Sequence, residues 1–129
     1  MILYIETSAA AKLLVEEPAS SQLATRLDNA VDNGDALLSS MLLETELRRL
    51  AVRADLAQAA VTHLLERFDL VESDRSLYRD AGLLSGRQLR SLDALHLAAA
   101  LRVGADVMVT YDRRQADAAE AVGVPVLAP

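Results

Sequence analysis

Four acidic residues stand where a carboxylate could do chemistry: Glu6, Glu46, Asp93 and Asp112. Glu6 directly follows a short, apolar, β-prone run, and Asp112 lies just past a second such run. Asp93 falls in the first turn of a helix that Ser91 is placed to cap, with Leu92, Leu95, Ala99 and Val103 recurring at helical spacing. The helix dipole favours a carboxylate there. Glu46 belongs to a helix that opens after Ser40. Any one of these acids is ordinary in a soluble protein. Four carboxylates converging from distant parts of a chain would repel one another and stay ionised only beside a cation. Oxygen donors with no Cys or His cluster favour Mg²⁺ or Mn²⁺. A divalent ion held this way can activate water and stabilise charge on a phosphate, which is the chemistry of phosphodiester hydrolysis.

These residues need a scaffold, and the hydrophobic pattern supplies one. Residues 1–5 read as a buried strand, and Thr7 or Ser8 is placed to cap a helix over residues 9–15. Glu16-Glu17-Pro18 interrupts that helix, and Pro18 suits the first turn of another that runs to about residue 31. The turn at residues 32–35 precedes a strand over residues 36–39, a helix over 41–53 and an amphipathic helix over about 56–67. Residues 69–72 read as a short strand or extended link. Ser73 and Asp74 cap a helix through Leu84, which Gly86 ends. The Asp93 helix stops at Gly104, a strand covers residues 107–110, and a helix over 116–122 is closed by Gly123. Residues 124–127 read as an edge strand because of Pro125. Strands alternating with helices imply an α/β fold whose mainly parallel sheet is covered on both faces. In such sheets ligands bind beyond the carboxyl ends of the strands, where Glu6 and Asp112 fall. With no repeat, linker or low-complexity stretch, residues 1–129 read as one domain.

The chain is 52% hydrophobic, which argues against disorder. It has no cysteine, which excludes disulfides and thiolate metal sites and fits a cytoplasmic protein. It opens without a basic leader, and no apolar run approaches membrane-spanning length. The net charge of −6 is not the usual footprint of a nucleic-acid binder. Distribution matters more than the sum, however. Arg48, Arg49, Arg90, Arg113 and Arg114 lie beside the acids and could meet phosphates; ion pairing on a surface explains any one of them equally well. The apolar helices between Pro18 and Arg67 could offer a groove to a partner peptide, or pack the core and a dimer.

The segments Tyr4-Ile5-Glu6-Thr7-Ser8-Ala9, Glu46-Leu47-Arg48-Arg49, Leu92-Asp93-Ala94-Leu95-His96-Leu97-Ala98-Ala99-Ala100 and Val109-Thr110-Tyr111-Asp112-Arg113-Arg114 resemble the PIN-domain ribonucleases. More narrowly, they look like the VapC toxins of bacterial type II toxin–antitoxin systems. The resemblance implies a three-layer α/β/α fold and Mg²⁺- or Mn²⁺-dependent endoribonuclease activity on structured RNA such as tRNA or ribosomal RNA. It also implies a cognate VapB-like antitoxin and a homodimer. Carried over by position, Glu6, Glu46, Asp93 and Asp112 form the acidic site. Asp93 and Glu6 ligate metal most directly, and Glu46 and Asp112 hold metal-bound water or a second metal. The family usually has Asp where this chain has Glu6. Its Glu lies six residues after a Ser at a strand end, which selects Glu46 over Glu44. Residues two apart on a helix point about 200° apart, so the two do not face one site.

His96 neighbours Asp93 on the helix surface, and its apolar surroundings imply a satisfied, partly buried side chain rather than a general base. Two other readings compete with the nuclease. A PIN-like fold kept only as a protein-binding module would account for Glu6. A Mg²⁺-binding phospho-receiver domain would need a Lys late in the chain, whereas the only Lys is Lys12.

Overall fold

The structure is a computed structural model that describes residues 1–129. A five-stranded, all-parallel sheet runs in the order β3-β2-β1-β4-β5. The strands are β1 (Ile2–Ile5), β2 (Ala36–Ser40), β3 (Asp69–Val71), β4 (Val107–Val109) and β5 (Val126–Leu127). Tyr4 lies opposite Leu38 of β2 and Met108 of β4, so β1 is the middle strand. Alternation sends Leu3 and Ile5 to one face with Leu37, Val107 and Val109, and Tyr4 and Met108 to the other. Both faces are covered, which is why β1 is apolar without a break.

The first face packs under α1 (Thr7–Ala11), α2 (Ser20–Asp32), α3 (Leu42–Ala54) and α4 (Gln58–Leu65). The second packs under α5 (Arg75–Gly82), α6 (Ser91–Arg102) and α7 (Arg113–Ala121). The expected three-layer α/β/α architecture is therefore present. On α3, Leu43, Leu47 and Ala51 recur four apart and are fully buried, which fixes the rotation of that helix. Truncating Leu47 to Ala would cost about 2–5 kcal/mol.

Several helix starts differ from the sequence reading: α2 begins at Ser20, so Pro18 precedes the helix instead of sitting in its first turn, and other differences lie at the site. Glu6 caps α1 with its own side chain, so the helix begins at Thr7 and neither Thr7 nor Ser8 is the cap. It ends at Ala11, short of residue 15. Asp112 caps α7, which starts at Arg113 rather than residue 116. Ser91 is the first residue of α6, preceded by Arg90. An acid at the strand end meets orphan N–H groups at once, so the helix follows with little loop. Pro125 precedes β5, which is an edge strand as expected.

The strand order reverses direction at β1, with β2 on one side and β4 on the other. The Glu6 N–H donates to Val109 O at 3.0 Å and ties the carboxyl ends of β1 and β4 together. That switch point is the natural crevice of an open parallel sheet.

Candidate active site

Glu6 enters the crevice from the end of β1 and is 5% exposed. Its Oε2 accepts from Ser8 N at 3.0 Å, from the Ser8 hydroxyl, and from Thr110 Oγ1 at 2.7 Å. Thr110 Oγ1 in turn accepts from Asp112 N at 3.1 Å, and Ser8 Oγ from Tyr111 N at 2.8 Å. Glu6 thus reaches across to the β4 side, which its length allows.

Glu46 approaches from α3, in the same helical layer as the α1 that Glu6 caps. Its Oε1 accepts from Thr7 Oγ1 at 2.9 Å and from His96 Nε2 at 2.6 Å. His96 is buried, and its Nδ1 lies 2.7 Å from the Tyr4 hydroxyl, so the imidazole is satisfied as expected. Burial raises the Glu46 carboxyl, but hydrogen bonds and charge from His96, with Thr7, outweigh it and leave the group below its ordinary range. Glu44 points elsewhere and pairs with Arg48 on the same helix at 3.0 Å.

Asp93 and Asp112 make up the remaining side. Asp112 Oδ1 accepts from Arg114 N at 2.9 Å and Gln115 N at 3.3 Å at the start of α7. Asp93 Oδ2 is buried and has no hydrogen-bond partner. Burial first, and the charge of Asp112 second, push the Asp93 carboxyl up, against the opposing pull of Arg114, His96 and Arg90. Gln115, fully buried, donates from Nε2 to the Asp93 carbonyl at 3.2 Å and so joins α7 to α6 at the site. Sequence reasoning missed Gln115. Its place three residues after the Asp112 cap is the spacing of a capping box, a signal that could have found it.

Two separate hydrogen-bonded groups stand at the mouth, one from Glu6 through Thr110 to Asp112 and one from Thr7 and His96 onto Glu46, and Asp93 feels the charge of Asp112 and of His96. The expected convergence is nevertheless corrected in one respect: no three His, Asp or Glu side chains close into a ready-made metal cage. Glu6 and Glu46 are each turned onto their own donors, an arrangement that keeps like charges apart. The donor chemistry still fits a hard divalent cation. Every acid offers oxygen, one buried oxygen of Asp93 is orphaned, and Mg²⁺ is commonly bound through one or two carboxylates plus waters.

The five arginines do not behave alike. Arg48 is held by Glu44, by Gln58 Oε1 at 3.1 Å and by Thr62 Oγ1 at 3.2 Å, so it braces α3 against α4 instead of standing free for phosphate. Arg49 lines a cleft of about 430 Å³ with Thr7, Ser8, Glu46, Arg53 and Leu92; Arg53 was not singled out by the sequence. Arg90 and Arg114 are exposed and close enough to act on Asp93. Arg113 is 92% exposed and lies 3.6 Å from Asp117. No helix is long and apolar enough to cross a membrane.

Residues 3–121 match the family model for the PIN domain. The chain is 38% identical to Ribonuclease VapC46 of Mycobacterium tuberculosis over 130 residues, covering 98% of this chain and 97% of that one. It is 40% identical to Ribonuclease VapC35 of the same organism over 134 residues, covering 99% and 97%. Among solved structures, it is similar to VapC20 of M. tuberculosis, described as a sarcin–ricin-loop-cleaving toxin, with TM-score 0.76, 17% identity and coverage of 98% and 99%. It is similar also to a chain of the VapBC2 complex of Rickettsia felis bound to a promoter DNA fragment, with TM-score 0.74, 15% identity and coverage of 98% of both chains.

Proposed function

The chain belongs to the PIN domain family, and from that premise we propose that it is a Mg²⁺- or Mn²⁺-dependent endoribonuclease toxin cleaving structured RNA. The observation that carries the reading is the carboxylate oxygen of Asp93 that is buried and unpaired, with the charge of Asp112 beside it. Near-full-length identity to proteins named ribonucleases supports it.

A divalent ion bound there supplies an activated water and neutralises charge on the phosphate. Asp93 Oδ2 and Glu6 would hold it. Glu6 is braced for this by Ser8 and Thr110, so the longer side chain serves as a ligand and the reading of a retired, protein-binding module is not favoured. Glu46 and Asp112, each fixed through one oxygen, would accept hydrogens from water and orient it. Arg49, Arg90, Arg113 and Arg114 would receive the RNA backbone. Arg48 belongs to the helix brace. The phospho-receiver reading has no support in the family match.

The partners follow the same reading. Solved VapBC complexes favour a VapB-like antitoxin for this chain, and an Arg from it could pair with the unsatisfied carboxylates. A homodimer, a one-domain chain and action in the cytoplasm, where tRNA and ribosomes are, complete it. The test is cleavage of tRNA and ribosomal RNA with Mg²⁺ or Mn²⁺. Cleavage stopped by EDTA and by Asp93→Asn is expected. Cleavage indifferent to EDTA would overturn the metal mechanism, and no cleavage of either RNA would overturn the nuclease.

A further inference from the structure

Helix α6 buries seven consecutive residues, Ala94 to Ala100, and six of them are Ala or Leu. The seventh is His96, 1% exposed. An imidazole in such a place costs desolvation that an apolar side chain would not, unless both nitrogens are bonded. Both are. Tyr4, itself fully buried, places its hydroxyl 2.7 Å from Nδ1, and its ring meets the imidazole edge-on at 5.8 Å. Nε2 lies 2.6 Å from Glu46 Oε1. An ionised carboxylate has no hydrogen to give, so Nε2 carries the proton and donates. Flipping the ring would break both bonds, so its orientation is determined.

Being buried, His96 does not meet RNA. Of the four acids it hydrogen-bonds only Glu46. Two donors, Thr7 Oγ1 and His96 Nε2, occupy Glu46 Oε1 and leave Oε2 for the cleft that Thr7, Glu46 and Arg49 line. We propose that His96 is a positioning residue: held by Tyr4, it determines which oxygen Glu46 presents to the cleft and in what direction. The inference rests on the metal-dependent nuclease reading. It joins β1, α1, α3 and α6 in one support, so both helical layers set the angle of a single carboxylate. Supports of this kind, behind a metal site, are typically worth about 10–100-fold in affinity or activity.

The experiment measures two things on each protein: the rise in melting temperature with Mn²⁺ added to EDTA-stripped protein, and RNA cleavage over the same Mn²⁺ series. His96→Leu fills the space and removes the donor. Its Mn²⁺ midpoint is expected to move upward about 10-fold or more, with cleavage falling in parallel. His96→Gln can return an N–H to the Nε2 position and is expected to recover most of the loss. Tyr4→Phe deletes only the hydroxyl and is expected to shift the midpoint about threefold, below that range as suits a more remote support. A purely structural histidine would lower the metal-free melting temperature and leave the Mn²⁺ midpoint and the cleavage rate of folded protein unchanged; that result overturns the inference. If His96→Leu does not fold, an unchanged midpoint in Tyr4→Phe overturns it instead. Wild type that neither responds to Mn²⁺ nor cleaves RNA would remove the nuclease reading and this inference with it. A responsive, active wild type with indifferent variants removes the inference alone.

Discussion

Glu46 and Asp93 come from opposite helical layers, each within reach of His96, and the fold treats them in opposite ways. Glu46 is given a hydroxyl and an imidazole donor, and its carboxyl lies below its ordinary range. Asp93 is given a buried oxygen with no donor and a neighbouring carboxylate in Asp112, and its carboxyl lies above. Stability alone would satisfy both or bury neither. The difference teaches that one side of the candidate site is pre-set by the protein's own donors, while the other keeps a carboxylate oxygen that the protein leaves unsatisfied.

The largest effects test that contrast on activity. Asp93→Asn and Glu46→Gln should each lower RNA cleavage by about a hundredfold or more, since loss of a ligand should exceed loss of a ligand's support. Glu44→Gln should stay near wild type, because Glu44 pairs with Arg48 and not with the crevice. Impaired Glu44→Gln beside normal Glu46→Gln would show that the wrong face of α3 has been assigned to the site.

A smaller effect concerns Glu6. Glu6→Ala should lose cleavage in both metals. Glu6→Asp should keep activity and narrow a several-fold preference for Mn²⁺ over Mg²⁺, since Mg²⁺ is the stricter about geometry. Shortening the side chain also draws it back from Thr110, so Glu6→Asp should melt lower; a charge-assisted bond is worth about 1.5–3 kcal/mol. Wild-type cleavage in Glu6→Ala would remove Glu6 from the ligand set.

The smallest effects, a few degrees of melting temperature in EDTA, sharpen the contrast most. A carboxyl with a depressed folded pKa adds stability above its unfolded value and loses it as pH falls through the folded one. Glu46, depressed from 4.5, is of this kind, so Glu46→Gln should melt below wild type at pH 7 and approach it in acid. Asp93, raised from 3.8, has the reverse sign: its contribution is present below 3.8 and is lost as pH rises through the folded value. Asp93→Asn should therefore melt above wild type at pH 7, with the gap closing toward pH 3. Adding Mn²⁺ should reverse that order by stabilising wild type only. Two variants shifted in the same direction at pH 7 would break the comparison.

Much of this was legible along the chain. Unbroken apolar runs announce strands buried on both faces, and the Leu43-Leu47-Ala51 stripe rotates α3 so that Glu46 and not Glu44 meets the crevice. The strand runs and the separation of about 200° between Glu44 and Glu46 are local properties, whereas the choice of Glu46 came from the family register counted from Ser40. Asp93 in the first turn of α6 and acids after β1 and β4 are equally local, and the four-part motif supplied the family. What only the tertiary structure decided is the state of each acid. Ser8 and Thr110 are 102 residues apart, and Glu46 and His96 are 50 apart, so no window of sequence shows who donates to whom. The same holds for Gln115 reaching the Asp93 carbonyl, and for Arg48 being drawn into a helix brace. A carboxylate's charge, orientation and freedom depend on donors and burial within a few ångströms, and those neighbours are brought together only when the sheet closes and both helical layers pack on it.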